Sequence, residues 1–75
     1  MDSVRWWPVK SYSSREVMAL LEADGWYLVA VHGDHYQYKH PTKPGRVTVV
    51  HPARDYKRKT LRSIFKQAGI QPPQP

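Results

Sequence analysis

HGDHYQYKHPTKPGRVTVVHP, residues 32–52, contains all four histidines of the chain and its most turn-prone segment. From His35 to His40 the side chains alternate. His35, Gln37 and Lys39 fall on one face of an extended strand, and Tyr36, Tyr38 and His40 on the other. Pro44-Gly45 suits the two central positions of a type II turn, the second of which needs φ > 0. Beyond it, Arg46 to His51 (RVTVVH) reads as a further strand, stopped by Pro52, with Val47 and Val49 directed to a core. Two strands joined by a tight connection form the centre of the fold.

Outward from this hairpin, Gly33-Asp34 reads as a second turn, preceded by WYLVAV at Trp26–Val31. That segment is aromatic and β-branched, as a strand requires, and is apolar on both faces. Ser13 with Glu16 three residues later fits a helix capping box. Val17, Leu20 and Leu21, with Met18 beside them, continue at helical spacing until Asp24-Gly25 ends the helix. On the other side Ala53–Lys59 reads as a basic loop. A second helix is expected from about Thr60, with Leu61, Ile64, Phe65 and Ala68 on one apolar face and Gly69 as its cap. The expected fold is α+β in αβββα order, a three-stranded antiparallel sheet in meander order with both helices on one face and the other face free. Residues 1–12 form an N-terminal extension in which Trp6-Trp7-Pro8 is the one distinctive feature, a strap packing on the protein's own surface. Residues 13–70 form the domain, and residues 71–75 a flexible tail.

At 75 residues only about 60% of the unfolded chain's surface can be buried, so nine aromatic residues must supply much of the core. The absence of cysteine excludes disulfides and thiolate zinc sites and suits a reducing cytoplasm. No apolar run approaches the roughly 20 residues of a membrane span, and the N-terminus lacks a secretory apolar region. The net charge of +6 is segregated: residues 1–38 carry three basic and five acidic groups, whereas residues 39–75 carry nine basic groups against Asp55 alone. A positive half of this kind attracts a polyanion through counterion release, and nucleic acid is the commonest such partner.

Histidine suits proton transfer near neutrality, and RNA brings its own nucleophile in the 2′-hydroxyl. A ribonuclease therefore needs little beyond a base, an acid and positive charge. His35 follows a glycine turn at a strand end, where a scaffold can present it to substrate. Lys39 on the same face can neutralise phosphate. Lys39 and Arg46, with Lys57, Arg58 and Lys59 before the second helix and Arg62 and Lys66 along it, form the expected RNA-binding set, directed to the backbone and carrying little sequence preference. His40 and His51, each before a proline, shape strand ends and turn entry, and His32 is an exposed strand residue. Tyr36 and Tyr38 are expected to pack in the sheet. The histidines lack the HxH or HxxxH spacing of a metal site, so no metal or cofactor is expected.

The order of elements resembles the double-stranded RNA-binding domain. At the level of motifs, Asp24-Gly25-Trp26, Gly33-x-His35, HPTKPGRVTV from His40, His51-Pro52 and LRSI…QAGI resemble the HicA family of bacterial toxin–antitoxin systems, over Ser13 to Ile70. The resemblance implies a small endoribonuclease that cleaves messenger RNA without a metal, arrests growth, and is held inactive by a HicB partner. The family's essential histidine, within its Gly-Ser-His pattern, falls on His35. This chain departs from the pattern at Asp34, where the family usually has serine, and at Tyr36, where it often has a second histidine. It also begins about twelve residues earlier than a typical member. Asp34 is expected either to orient His35 and hold a proton on it, or to repel the RNA phosphate. Two other readings remain open: a non-catalytic RNA-binding module, and a degenerate toxin that only binds its antitoxin.

Overall fold

The computed structural model describes residues 11–71, so Trp6, Trp7 and the last four residues lie outside it. Helix α1 spans Ser14–Ala23, strands β1, β2 and β3 span Tyr27–His32, His35–Lys39 and Val47–Val50, and helix α2 spans Arg58–Ala68. The strands form one antiparallel sheet in the order β1-β2-β3, as the meander reading expects.

Both halves of the capping box are made at the start of α1. Ser13 N–H donates to Glu16 Oε1 at 2.9 Å, and Glu16 N–H donates to Ser13 Oγ at 3.2 Å. Each bond satisfies a donor that the first turn leaves without a partner. At the other end of α1, Gly25 has φ +104°, and a Cβ there would lie 2.9 Å from His40 Nε2. Only glycine satisfies both the backbone angle and that approach.

Register places the core. Tyr38 pairs with Val47 and Tyr36 with Val49; partners across antiparallel strands share a face. Tyr38, Val47 and Val49 are fully buried, together with Val17 and Leu21 from α1 and Leu61, Ile64, Phe65 and Ala68 from α2. Both helices therefore lie on this face. The opposite, open face carries His35, Gln37 and Lys39 of β2 with Thr48 and Val50 of β3.

Two sequence expectations need correcting, and one core residue carried no sequence signal. Helix α2 begins at Arg58 rather than near Thr60: Leu61 N–H donates to Lys57 C=O at 3.0 Å and closes a first turn made of the supposed loop. Trp26 does not open β1 but turns into the core, where its indole N–H donates to Ala68 C=O at 3.3 Å. Tyr12, in a stretch without pattern, is also buried and sets its ring edge-on to Phe65 at 5.6 Å.

Among the described strands β1 lies at the edge of the sheet, and the helices pack mainly on β3 at the other side. Leu28 and Val31 pair with Tyr38 and Tyr36 on the core side, yet remain 44% and 46% exposed; Tyr27 and Val29 are exposed as well. Register shifts between Leu28 and Ala30, leaving Val29 as an extra residue. The bulge explains why an all-apolar strand carried no readable alternation.

Candidate functional site

A two-residue loop, Gly33-Asp34, joins β1 to β2. Gly33 at φ +63° occupies the first central position, which in a tight hairpin turn favours glycine. The loop is pinned from the far side, where His51 N–H donates to Asp34 C=O at 2.8 Å. His35 opens β2 on the open face, paired with Val50 on one side and His32 on the other. Its Nδ1 lies 2.9 Å from Asp34 Oδ1, and both side chains are more than half exposed. A proton on Nδ1 is therefore held by the carboxylate, which leaves Nε2 as the nitrogen able to exchange a proton with a bound molecule.

His40 and His51 are committed to structure. His40 Nε2 lies 2.7 Å from Asp24 C=O, while its Nδ1 accepts N–H bonds from Thr42 and Lys43, each at 3.1 Å. These partners require a proton on Nε2 and a lone pair on Nδ1, so the ring splices the β2–β3 connection to the end of α1. His51 Nδ1 lies 2.7 Å from Ser14 Oγ, and its ring stands edge-on to Tyr36 at 4.9 Å. Ser14 is buried, and its Oγ also accepts from Ala53 N–H at 2.9 Å and donates to Ala53 C=O at 3.2 Å. This serine–histidine contact, 37 residues apart in sequence, is a clamp between α1 and the end of β3. Sequence reasoning missed it, since only the folded topology brings the two together.

The sheet divides the cationic set. Lys39 shares the open face with His35, and Arg46 reaches that face through an Nη1–H bond to Gln37 Oε1 at 2.8 Å. Arg46 also lines a groove of about 530 Å³ between the β3 edge and α2, with Thr48 beside it and Lys59, Ser63 and Gln67 opposite. Arg58, Arg62 and Lys66 form a stripe along the exposed side of α2 at the four-residue spacing of one helix face.

One bond ties the two groups together. The Tyr56 hydroxyl donates to the Val50 carbonyl, and Val50 is the register partner of His35. Burial pushes Tyr56 up to about 12, so the phenol keeps its donor proton well into alkaline conditions. Because Lys57 follows Tyr56 directly, the N-terminus of α2 is held at the same end of the sheet as His35. Lys57, the N-cap, makes no capping bond through its side chain, and the first turn contains no acidic residue. Open backbone N–H groups beside three cations form a strong anion-attracting end.

Among the described residues, no group of three or more His, Cys, Asp or Glu side chains comes close enough together to hold a metal ion. None of the described helices is long and apolar enough to cross a membrane. Compared with known proteins, residues 14–70 match the family model described as the HicA toxin of bacterial toxin–antitoxin systems. No curated protein sequence matches the chain.

Proposed function

Because the chain belongs to the HicA toxin family of bacterial toxin–antitoxin systems, we propose that it is an endoribonuclease that cleaves messenger RNA without a metal and so inhibits translation and growth. His35 is the proton-transferring side chain. The observation that carries this reading is the placement of His35 at a pinned hairpin end, exposed, with Nδ1 engaged by Asp34 and a cationic helix terminus at the same end of the sheet.

In the reaction, the RNA 2′-oxygen forms a bond to phosphorus while the bond from phosphorus to the 5′-oxygen breaks. His35 Nε2 takes the proton of the 2′-hydroxyl, and the departing 5′-oxygen needs a proton in return. General base action of this kind contributes roughly 10²–10⁴-fold. Lys39 and Arg46 hold the backbone on the open face, and Lys57, Arg58, Lys59, Arg62 and Lys66 hold it where it passes over the β3 edge onto α2. These contacts supply affinity with little base preference. The partner that silences the protein is a HicB-like antitoxin carrying acidic groups to the open face, and both act in the cytoplasm, where messenger RNA is translated.

The test is cleavage of labelled messenger RNA in the presence of EDTA. Wild-type protein cuts it, and His35→Ala lowers the rate by roughly 10²–10⁴-fold while still binding RNA. A module that merely binds RNA would leave the message intact in both reactions. Undiminished cleavage by His35→Ala would remove His35 from the mechanism.

A further inference from the structure

We propose that His32 is the general acid of this reaction, donating the proton that the 5′-oxygen carries away. The proposal rests on reading His35 as the base of a ribonuclease, and deepens it by naming the second catalytic residue.

His32 is the last residue of β1 and the register partner of His35 across the Gly33-Asp34 loop. Directly opposed residues on antiparallel strands share a face and have Cβ atoms about 4.5–5.5 Å apart. The two side chains therefore leave the same, open face of the hairpin from directly opposed positions, and both residues are exposed. Displacement at phosphorus places the attacking and leaving oxygens on opposite sides of the reacting atom, and two rings splayed from so close a base can bracket one phosphate.

The remaining histidines cannot take this role, because His40 and His51 are held in the bonds described above. Among the described residues the His32 ring makes no hydrogen bond or ion pair. Tyr36, the neighbour of His35 in sequence, turns to the core side and packs on His51. Of the four histidines, His32 across the hairpin is then the one placed to act as a second proton-transferring group beside His35.

Asp34 sets the division of labour. It engages His35 and not His32, supporting the positive charge that His35 gains as a base and leaving His32 as the acid. The titratable residues beside His32 in the hairpin are its register partner His35 and, in the loop, Asp34. On the sheet Val50 of β3 lies beyond His35, and among the described residues no strand pairs with the outer side of β1.

Two oligoribonucleotides of one sequence test this. One has the natural 5′-oxygen at the scissile bond, and the other a bridging 5′-sulfur, which leaves without needing a proton. Expected for His32→Ala and His32→Gln is a loss of roughly 10²-fold or more on the oxygen substrate, with the alkaline fall in the pH–rate profile removed. On the sulfur substrate both variants should come within about threefold of wild type, whereas His35→Ala stays slow on both. Equal loss on the two substrates would make His32 a binding or structural residue and overturn the proposal. So would wild-type rates on the oxygen substrate, or sulfur rescue of His35→Ala in place of the His32 variants. If wild-type protein cuts neither oligonucleotide, the ribonuclease reading itself fails, and this inference with it.

Discussion

At the scale of single residues, the contact between Asp34 and His35 determines what the imidazole can do. A neutral ring has one protonated nitrogen, and a carboxylate 2.9 Å from Nδ1 selects which one. Without it the ring samples both tautomers and both flips, and part of the population presents the wrong nitrogen. Losing the orienting partner leaves only part of the population with Nε2 as the free base, so Asp34→Ala is expected to lose about tenfold in kcat with little change in KM. Asp34→Asn, which keeps an oxygen acceptor but no charge, should retain more of the rate than alanine. Steady-state cleavage of one oligoribonucleotide by the three proteins measures this. A faster Asp34→Ala enzyme would mean that the carboxylate mainly repels the RNA phosphate.

At the scale of elements, α2 carries an internal conflict that is informative about function. A helix N-terminus is stabilised by Ser, Thr, Asp or Asn at the cap and by acidic residues in the first turn. Here the cap is Lys57, followed by Arg58 and Lys59, and each places positive charge against the positive pole. Lys57→Ser is therefore expected to raise stability by about 0.5–1 kcal/mol in a thermal or urea melt. The same change should weaken RNA binding at every sequence and reduce its salt slope by about one unit. A variant that gains stability and keeps its RNA affinity would separate α2 from the RNA. The elements themselves were legible where period and capping chemistry agree: the Ser13–Glu16 box, the Leu61 to Ala68 stripe, and the alternation of β2 and β3. What stayed hidden depends on partners distant in sequence. Tyr12 has no periodic neighbours, Ser14 meets His51 only in the folded chain, and the bulge at Val29 erases the period of β1. The candidate histidine was identifiable, but its placement opposite His32 required the register of the hairpin. That the sheet separates His35 from the basic helix followed only from knowing which face the helices cover.

At the scale of the whole molecule, Lys43 fastens three elements at the end of the sheet remote from His35. Its Nζ donates to Asp24 Oδ2 at 2.6 Å, at the end of α1, and to the Ala68 and Gly69 carbonyls at 3.1 Å, at the end of α2. A cation on the final carbonyls of a helix also suits its dipole. The hydrogen bond from Lys43, aided by its charge, holds the Asp24 carboxyl below its ordinary 3.8, against the opposing effect of burial. A lowered folded-state value means that this stabilisation is complete above about pH 4 and disappears as pH falls through the folded-state value. Lys43→Met is expected to lose about 1–2 kcal/mol at pH 7 and to show a smaller drop in Tm than wild type between pH 5 and pH 2. Parallel acid-induced melts of the two proteins would show that Asp24 is not the titrating group. The long margin of β1 has a different consequence. Among the described residues no strand pairs with its outer side, and Tyr27, Leu28, Val29 and Val31 flank that side with wetted apolar surface. Such a margin templates strand-to-strand pairing between molecules, so colloidal stability of the isolated chain will decline with concentration faster than its strong positive charge alone would suggest.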